Sequence, residues 1–264
     1  MIRREDIMKV AILAGGLGSR LSEETIIKPK PMVEIGGRPI LWHIMMLYSN
    51  FGFNEFVVAL GYKGEYVKRW MQDYFSSNKN VQFKTTKNEV FIHDMRSSGW
   101  KVHLVDTGQE TLTGGRIKRL APWLGNQTFM LTWCDAVADI DLHALLKFHR
   151  SHGRLATVTA VRPPPRFGHL VLEGDIVTQF KEKTRDAEGW INGAFFVLES
   201  GVIDYIEGDA TQWEKEPMEA LVSADQLMAY RHNGFWQCMD TIHEKRQLEK
   251  LWQSNQPPWK TWKD

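Results

Sequence analysis

From Lys9 to Lys30 the chain reads K-V-A-I-L-A-G-G-L-G-S-R-L-S-E-E-T-I-I-K-P-K. The apolar run Val10 to Ala14 breaks into Gly15, Gly16 and Gly18, three glycines within four residues. An almost unbroken apolar run is what a strand buried on both faces looks like. Glycines straight after it let backbone N–H groups approach an anion closely. Arg20, Lys28 and Lys30 follow on the same stretch. Arginine can fork two phosphate oxygens, and lysine acts as a mobile point charge. The stretch therefore reads as a strand feeding a cradle for a polyphosphate.

Two common phosphate motifs do not fit it. A P-loop would close with G-K-S or G-K-T, and none is present. A dinucleotide fingerprint needs a third glycine opening a helix, but Ser19, Arg20 and Leu21 follow Gly18. Pro29 and Pro31 bar a helix directly after the glycines, so one long loop is expected as far as Pro39.

Beyond the loop, strand and helix patterns alternate. Helices are expected over Ile40–Ser49, Gly64–Phe75, Gly114–Trp123 and Leu142–His152, with Leu41, Ile44, Met45 and Tyr48 sharing one face of the first. Tyr66, Trp70 and Tyr74 form the stripe of the second. The third should stop near Pro122, and Asp141 should cap the fourth. Strands are expected at Phe56–Leu60, Val102–Asp106 and Thr128–Thr132, with Val81–Thr86 and Val90–His93 as an excursion. After Gly153 the pattern is richer in strands: Leu155–Val161, His169–Leu172, Ile176–Phe180, Ile191–Leu198 and Leu227–His232, closed by a helix at Thr241–Gln253. The alternation predicts an α/β fold, a mostly parallel sheet flanked by helices, extended by a small β-rich lobe. One domain is expected, with residues 8–150 as its nucleotide half and 151–264 as its acceptor half.

The bulk numbers narrow the function. Lysine plus arginine is 33, aspartate plus glutamate 32, and the formal net charge is +1. That balance offers no footprint for nucleic acid or a membrane surface, so attraction for an anionic substrate must be local. Cys134 and Cys238 make no disulfide framework. The first ten residues lack a signal-peptide core, and no run approaches the ~18 apolar residues of a membrane span. The expectation is a soluble, cytoplasmic chain.

Two carboxylates stand where a metal could sit. Trp133-Cys134-Asp135-Ala136-Val137-Ala138-Asp139 follows a buried strand. Ligands of open α/β sheets bind at strand carboxyl ends, and an aspartate there suits Mg²⁺. Asp139 and Asp141 read as caps for the next helix. Asp240, in Q-C-M-D-T, is either the cap of the last helix or a second carboxylate meeting Asp135, and spacing does not choose between them.

At this point the chain resembles a known family, the sugar-1-phosphate nucleotidyltransferases, closest to its glucose-1-phosphate cytidylyltransferase branch. The resemblance rests on L-A-G-G-L-G-S-R-L-S-E-E-T-I-I-K-P-K-P-M, E-I-G-G-R-P-I-L-W-H-I-M, D-T-G…T-G-G-R-I-K-R, F-K-E-K, W-I-N-G-A-F-F-V and G-F-W-Q-C-M-D-T, in that order. It runs from about Met8 to Trp262. It implies a Rossmann-like fold, a nucleoside triphosphate (CTP favoured), a sugar 1-phosphate (glucose favoured), Mg²⁺ and a homo-oligomer. It implies that Leu13, Gly15, Gly16, Gly18, Ser19 and Arg20 bind the triphosphate, with Arg20 on the leaving phosphates. Lys30 would stabilise charge at the α-phosphate, and Asp135 and Asp240 would hold the metal. Thr113, Gly114, Gly115 and Arg116 match the base and ribose block. Glu182, Lys183, Asn192 and Gly193 match the sugar-phosphate block. No general base is needed, because a phosphate is already nucleophilic at neutral pH.

The chain departs from the family pattern in places. Cys134 and Ala136 replace the glycines around Asp135, Ala194 replaces a glycine, Thr184 a proline and Ser19 a threonine. A thiolate metal site at Cys134 and Cys238 competes with two buried neutral thiols. His169 faces the acceptor or solvent, and Glu214–Glu219 reads as a solvated helix face. The remaining alternatives are another base or hexose, a non-catalytic nucleotide binder, and a nicotinamide oxidoreductase.

Overall fold

The computed structural model describes residues 8–18, 21–76, 81–95, 99–164, 169–181 and 189–263. In chain order the elements begin with β1 (Lys9–Leu13), the one-turn α1 (Ser22–Thr25), a 3₁₀ turn at Lys30–Met32, β2 (Glu34–Ile35), β3 (Arg38–Pro39) and α2 (Ile40–Asn50). Next come β4 (Glu55–Leu60), α3 (Gly64–Ser76), β5 (Val81–Thr85), β6 (Glu89–Asp94), β7 (Lys101–Asp106), α4 (Thr113–Leu124), β8 (Phe129–Trp133), β9 (Ala136–Ala138) and α5 (Leu142–His152). The second half has β10 (Ala156–Val161), β11 (His169–Glu173), β12 (Ile176–Lys181), β13 (Ile191–Leu198), α6 (Glu216–Ser223), β14 (Leu227–His232), β15 (Trp236–Cys238) and α7 (Ile242–Gln253).

Nine strands form one sheet in the order β14-β10-β13-β8-β1-β4-β7-β6-β5. Its centre is parallel, with β1 between β4 and β8 and β7 beyond β4. Only β6 and β13 run against the rest, so the sheet is mixed but mostly parallel. Side chains alternate across a strand. Val10 and Ile12 of β1 therefore pack with residues of α2, α3, α5 and α7, while Ala11 and Leu13 pack on the opposite face with α4 and α6. Strand order reverses at β1, since β4 and β7 lie on one side of it and β8 on the other. The crevice past the carboxyl ends of β1 and β8 is thus the switch point where such sheets bind ligands.

Several expectations need correction. The stretch before Pro39 is not all loop, because α1 forms before the first proline; proline restrains the residue just before it, not one four places earlier. Pro31 lies at the start of the 3₁₀ turn, where its missing N–H costs nothing. As expected, α4 stops near Pro122, though the proline lies inside its last turn and the helix ends at Leu124; so near the end it removes one bond only. The buried stripe of α3 is Val67, Met71 and Phe75, one position on from the aromatic stripe. Tyr66 is exposed, and Trp70 and Tyr74 are half-buried and stacked on each other. The strands β5 and β6 are the sheet's edge, not an excursion. Asp141 does cap α5, its carboxylate accepting from the Ala144 N–H at 2.9 Å.

Candidate active site

Past β1 the backbone stays tied to β4. Ala14 N–H donates to Ala59 O, and Gly15 O accepts from Tyr62 N–H. Gly15 has no room for a side chain, because a Cβ there would lie 2.4 Å from Arg116 Nη1. Gly16 is different: a Cβ there would meet nothing within 4 Å, so its backbone faces open space. Leu13, Gly15, Gly16 and Gly18 line a cavity of about 280 Å³ with Lys30, Thr113, Arg116, Asp135 and Asp240. Nine of the residues singled out in the sequence therefore meet at the switch point.

Arg116 is buried, and both terminal nitrogens of its guanidinium are engaged. Nη1 donates to Leu60 O, Thr107 Oγ1 and Gly108 O, and Nη2 to Gly15 O and Gln109 O. One side chain thereby ties the glycine turn to the ends of β4 and β7. Gly114 and Gly115 lie outside the cavity. Cβ atoms there would come within 2.8 Å of Thr211 O and 2.6 Å of Asp209 Cα, so these glycines let α4 pack on the 209–211 segment. Ser19, Arg20, Glu182 and Lys183 lie outside the described residues.

The carboxylates are brought together by a ladder that sequence reading missed. The short strands β9 and β15 pair antiparallel, Cys238 opposite Ala136 and Trp236 opposite Ala138. Met239 N–H continues the ladder to Asp135 O at 2.7 Å. Asp139 does not cap α5. Its carboxylate accepts from Phe235 N–H at 2.7 Å and pairs with His232 at 3.0 Å, pinning the turn into β15. The choice at Asp240 is also resolved. Thr241 is the cap of α7, in a capping box with Glu244, and the Asp240 carboxylate turns to Lys30. Lys30 Nζ donates to Asp240 Oδ1 at 2.5 Å and to Asp135 Oδ2 at 3.1 Å.

Burial disfavours the Lys30 charge, but Asp135 and Asp240 outweigh it, so its pKa lies above the usual lysine value. Burial pushes the Cys134 thiol well up, and burial with the Glu244 charge pushes Cys238 up to about 12. Both sulfurs are neutral thiols near neutral pH. Cys134 and Ala136 are buried, and neither has positive φ, so the departures around Asp135 carry no backbone strain. Ala194 does: its φ is +63°, in the region that favours glycine.

A second, wider cavity of about 790 Å³ adjoins the first and shares Trp133, Asp135 and Asp240 with it. Asn192 and Ala194 line it. Here β13 bulges against β10, since Val158 faces Phe196 while Ala160 faces Asn192. Gly193 sits inside the bulge rather than on the cavity wall, where a Cβ would press on Val161 at 2.7 Å. Glu214 also lines this cavity, ahead of α6, and is not part of the solvated helix face expected for it.

The profile of the nucleotidyl transferase family matches residues 9–264. The chain belongs to the nucleotidyl transferase family. It is 50% identical over 256 residues to the glucose-1-phosphate cytidylyltransferases of Salmonella typhi and Salmonella typhimurium, covering 97% of this chain and 100% of each relative. Among solved structures, HddC from Yersinia pseudotuberculosis superposes with a TM-score of 0.66 at 21% identity, over 93% of this chain and 99% of that one. At that identity the likeness concerns the fold alone. The arrangement sets the paired carboxylates Asp135 and Asp240 at the junction of a glycine-lined cavity and a wider one.

Proposed function

We propose that the chain forms CDP-glucose and pyrophosphate from CTP and α-D-glucose 1-phosphate. The observation that carries this reading is Lys30 held between Asp135 and Asp240 at the junction of the two cavities. The two Salmonella relatives supply the choice of base and sugar. In the reaction an oxygen of the sugar phosphate attacks the α-phosphorus in line. One P–O bond forms, the α–β bridge breaks, and its electron pair leaves with pyrophosphate. The acceptor phosphate is already anionic, so catalysis needs positioning and charge stabilisation rather than a base. Gly16 would present backbone N–H to the triphosphate, and Lys30 would shift hydrogen bonds from the carboxylates to the α-phosphate as charge develops there. Ser19 and Arg20 would hold the outgoing phosphates, and Asn192 with Glu182 and Lys183 the sugar phosphate.

Asp135 and Asp240 converge on one Nζ within hydrogen-bond distance, two hard oxygen donors beside two protonated thiols. That donor set fits Mg²⁺, which takes few carboxylates and completes its shell with phosphate and water. When bound it supplies neutralisation of the phosphoryl oxygens. We also read the chain as one domain working as a cytoplasmic homo-oligomer; the exposed Ile26 and Ile27 beyond α1 are apolar surface that a second copy would cover.

The test is pyrophosphate release with each of the four ribonucleoside triphosphates against a panel of hexose 1-phosphates, with Mg²⁺. The reading expects the CTP and glucose 1-phosphate pair to have the highest kcat/KM. A higher value for another pair moves the specificity, and no release with any pair overturns the reading.

A further inference from the structure

Glu214 sits on the wall of the wider cavity, and its carboxylate is held from two directions. Thr113 Oγ1 donates to Oε2 at 2.5 Å, and Trp133 Nε1 donates to Oε1 at 3.0 Å. The Thr113 hydroxyl in turn accepts from Trp213 N–H at 2.9 Å, which fixes the direction in which it donates. Trp213 is fully buried, so the backbone just before Glu214 is anchored in the core. Trp133 leads into Asp135 and lines both cavities, its ring packed 5.0 Å from that of Phe196. A carboxylate is thus immobilised at the border of the two cavities by donors from the ends of β8 and α4, yet Glu214 remains exposed.

An ionised carboxylate is acceptor-only and offers about four lone-pair positions. Thr113 and Trp133 use one on each oxygen, and the others stay open to donors in the cavity. A pair of fixed acceptors matches neighbouring hydroxyls of a sugar ring. It repels a phosphate, so it marks the hydroxyl end of an acceptor and not its phosphate end. Glu214 lines the wider cavity, beside Asn192 and Ala194, and not the glycine-lined one, which points to the acceptor sugar and not to the ribose of the nucleotide.

We propose that Glu214 is a specificity-determining residue that accepts hydrogen bonds from hydroxyls of the acceptor hexose, with Trp133 and Thr113 as positioning residues that aim it. This rests on the reading of the chain as a sugar-1-phosphate nucleotidyltransferase. Hydrogen bonds to a charged group set the size of the effect: about 10–100-fold when the charge is removed. A site built to bind a hydroxyl also rejects the analogue that lacks it.

The experiment is steady-state pyrophosphate release by wild type, Glu214→Ala, Glu214→Gln and Trp133→Phe, varying CTP and glucose 1-phosphate separately. It is repeated with the 2-, 3-, 4- and 6-deoxy analogues of glucose 1-phosphate. Glu214→Ala should raise the KM for glucose 1-phosphate about 10–100-fold and leave that for CTP within about 2-fold. It should also stop discriminating against the deoxy analogue that the wild type rejects. Trp133→Phe, which keeps a ring but drops the donor, should move the sugar KM in the same direction by less. Should Glu214→Ala not fold, Glu214→Gln carries the same comparison. An unchanged sugar KM, or a rise in the CTP KM instead, overturns the assignment while leaving the reaction intact. A wild type that turns over no sugar phosphate removes the reaction and the assignment together.

Discussion

At the scale of single residues, Lys30 carries the most weight. Its ammonium neutralises two carboxylates that converge on it, in a partly buried setting that limits screening by water. Lys30→Ala removes the donor aimed at the α-phosphate, and turnover should fall about 10²–10³-fold. The same variant should keep its far-UV circular dichroism, because Lys30 lies at the rim of a cavity and not in the core. Turnover near wild type would disprove the role. Ala194 makes a second case. Glycine at a φ of +63° avoids the left-handed cost of a Cβ, so Ala194→Gly should stabilise the fold by about 1 kcal/mol in urea titration. A loss of stability there would mean that the methyl packs usefully in the bulge. That Lys30 and Asp135 lie at the switch point was legible in the sequence, because both follow buried strands at their carboxyl ends, where such sheets bind ligands. Asp240 was not, because a residue ahead of a helix reads equally as its cap; only Thr241 taking that place resolves it. Glu214 was hidden by its acidic neighbours, since a charge run looks alike whether or not one member turns into a cavity.

At the scale of elements, the ladder of β9 with β15 and the grip of α7 set the distance between the carboxylates and the first loop. Helix α7 begins beside Asp240 and reaches back to the loop. Lys245 pairs with Glu24 of α1, and the Glu249 carboxylate accepts the Gly36 N–H of the β2–β3 turn at 3.1 Å. Gly36 has a φ of +60°, and a Cβ there would overlap Trp252 at 1.9 Å. Gly36→Ala should therefore destabilise the protein by about 3 kcal/mol, combining overpacking with left-handed strain. Thermal melting checks it, and an unchanged midpoint would show that α7 does not rest on this turn. Strands of three residues such as β9 and β15 escape sequence patterns, because alternation needs four or more residues to be visible. The aromatic row of α3 marked the helix but not its buried face, because two rows of the same period lie side by side and spacing alone does not say which one faces the sheet.

For the whole molecule, the parallel centre was legible from alternating elements and apolar runs, while the reversed directions of β6 and β13 were not, since pairing partners leave no local mark. The same core makes a prediction about acid. His43 is completely buried among Trp42, Trp252, Trp259 and Trp262. Its Nε2 lies 2.8 Å from Ile35 O, the distance of a donated hydrogen bond. Burial pushes its pKa down from 6.5 to about 4. The folded state then binds fewer protons than the unfolded state between those values, so this contribution is complete above pH 6.5 and is lost as pH falls toward 4. At pH 5 the loss from His43 should be about 2 kcal/mol. Burial lowers His149 as well, despite Glu199 beside it, and adds in the same direction. Urea titrations at pH 7 and pH 5 should show the fall for wild type and a smaller one for His43→Gln. Equal falls would place the acid sensitivity elsewhere.

On the proposed reading, these two cavities join CTP to a sugar phosphate at the α-phosphorus. Phosphorus-31 NMR of the protein with CTP, glucose 1-phosphate and Mg²⁺ reads that chemistry bond by bond. The CTP triphosphate signals should give way to the two coupled resonances of a nucleoside diphosphate sugar, with one equivalent of pyrophosphate. Unchanged CTP, or CMP with pyrophosphate and glucose 1-phosphate left intact, would contradict it.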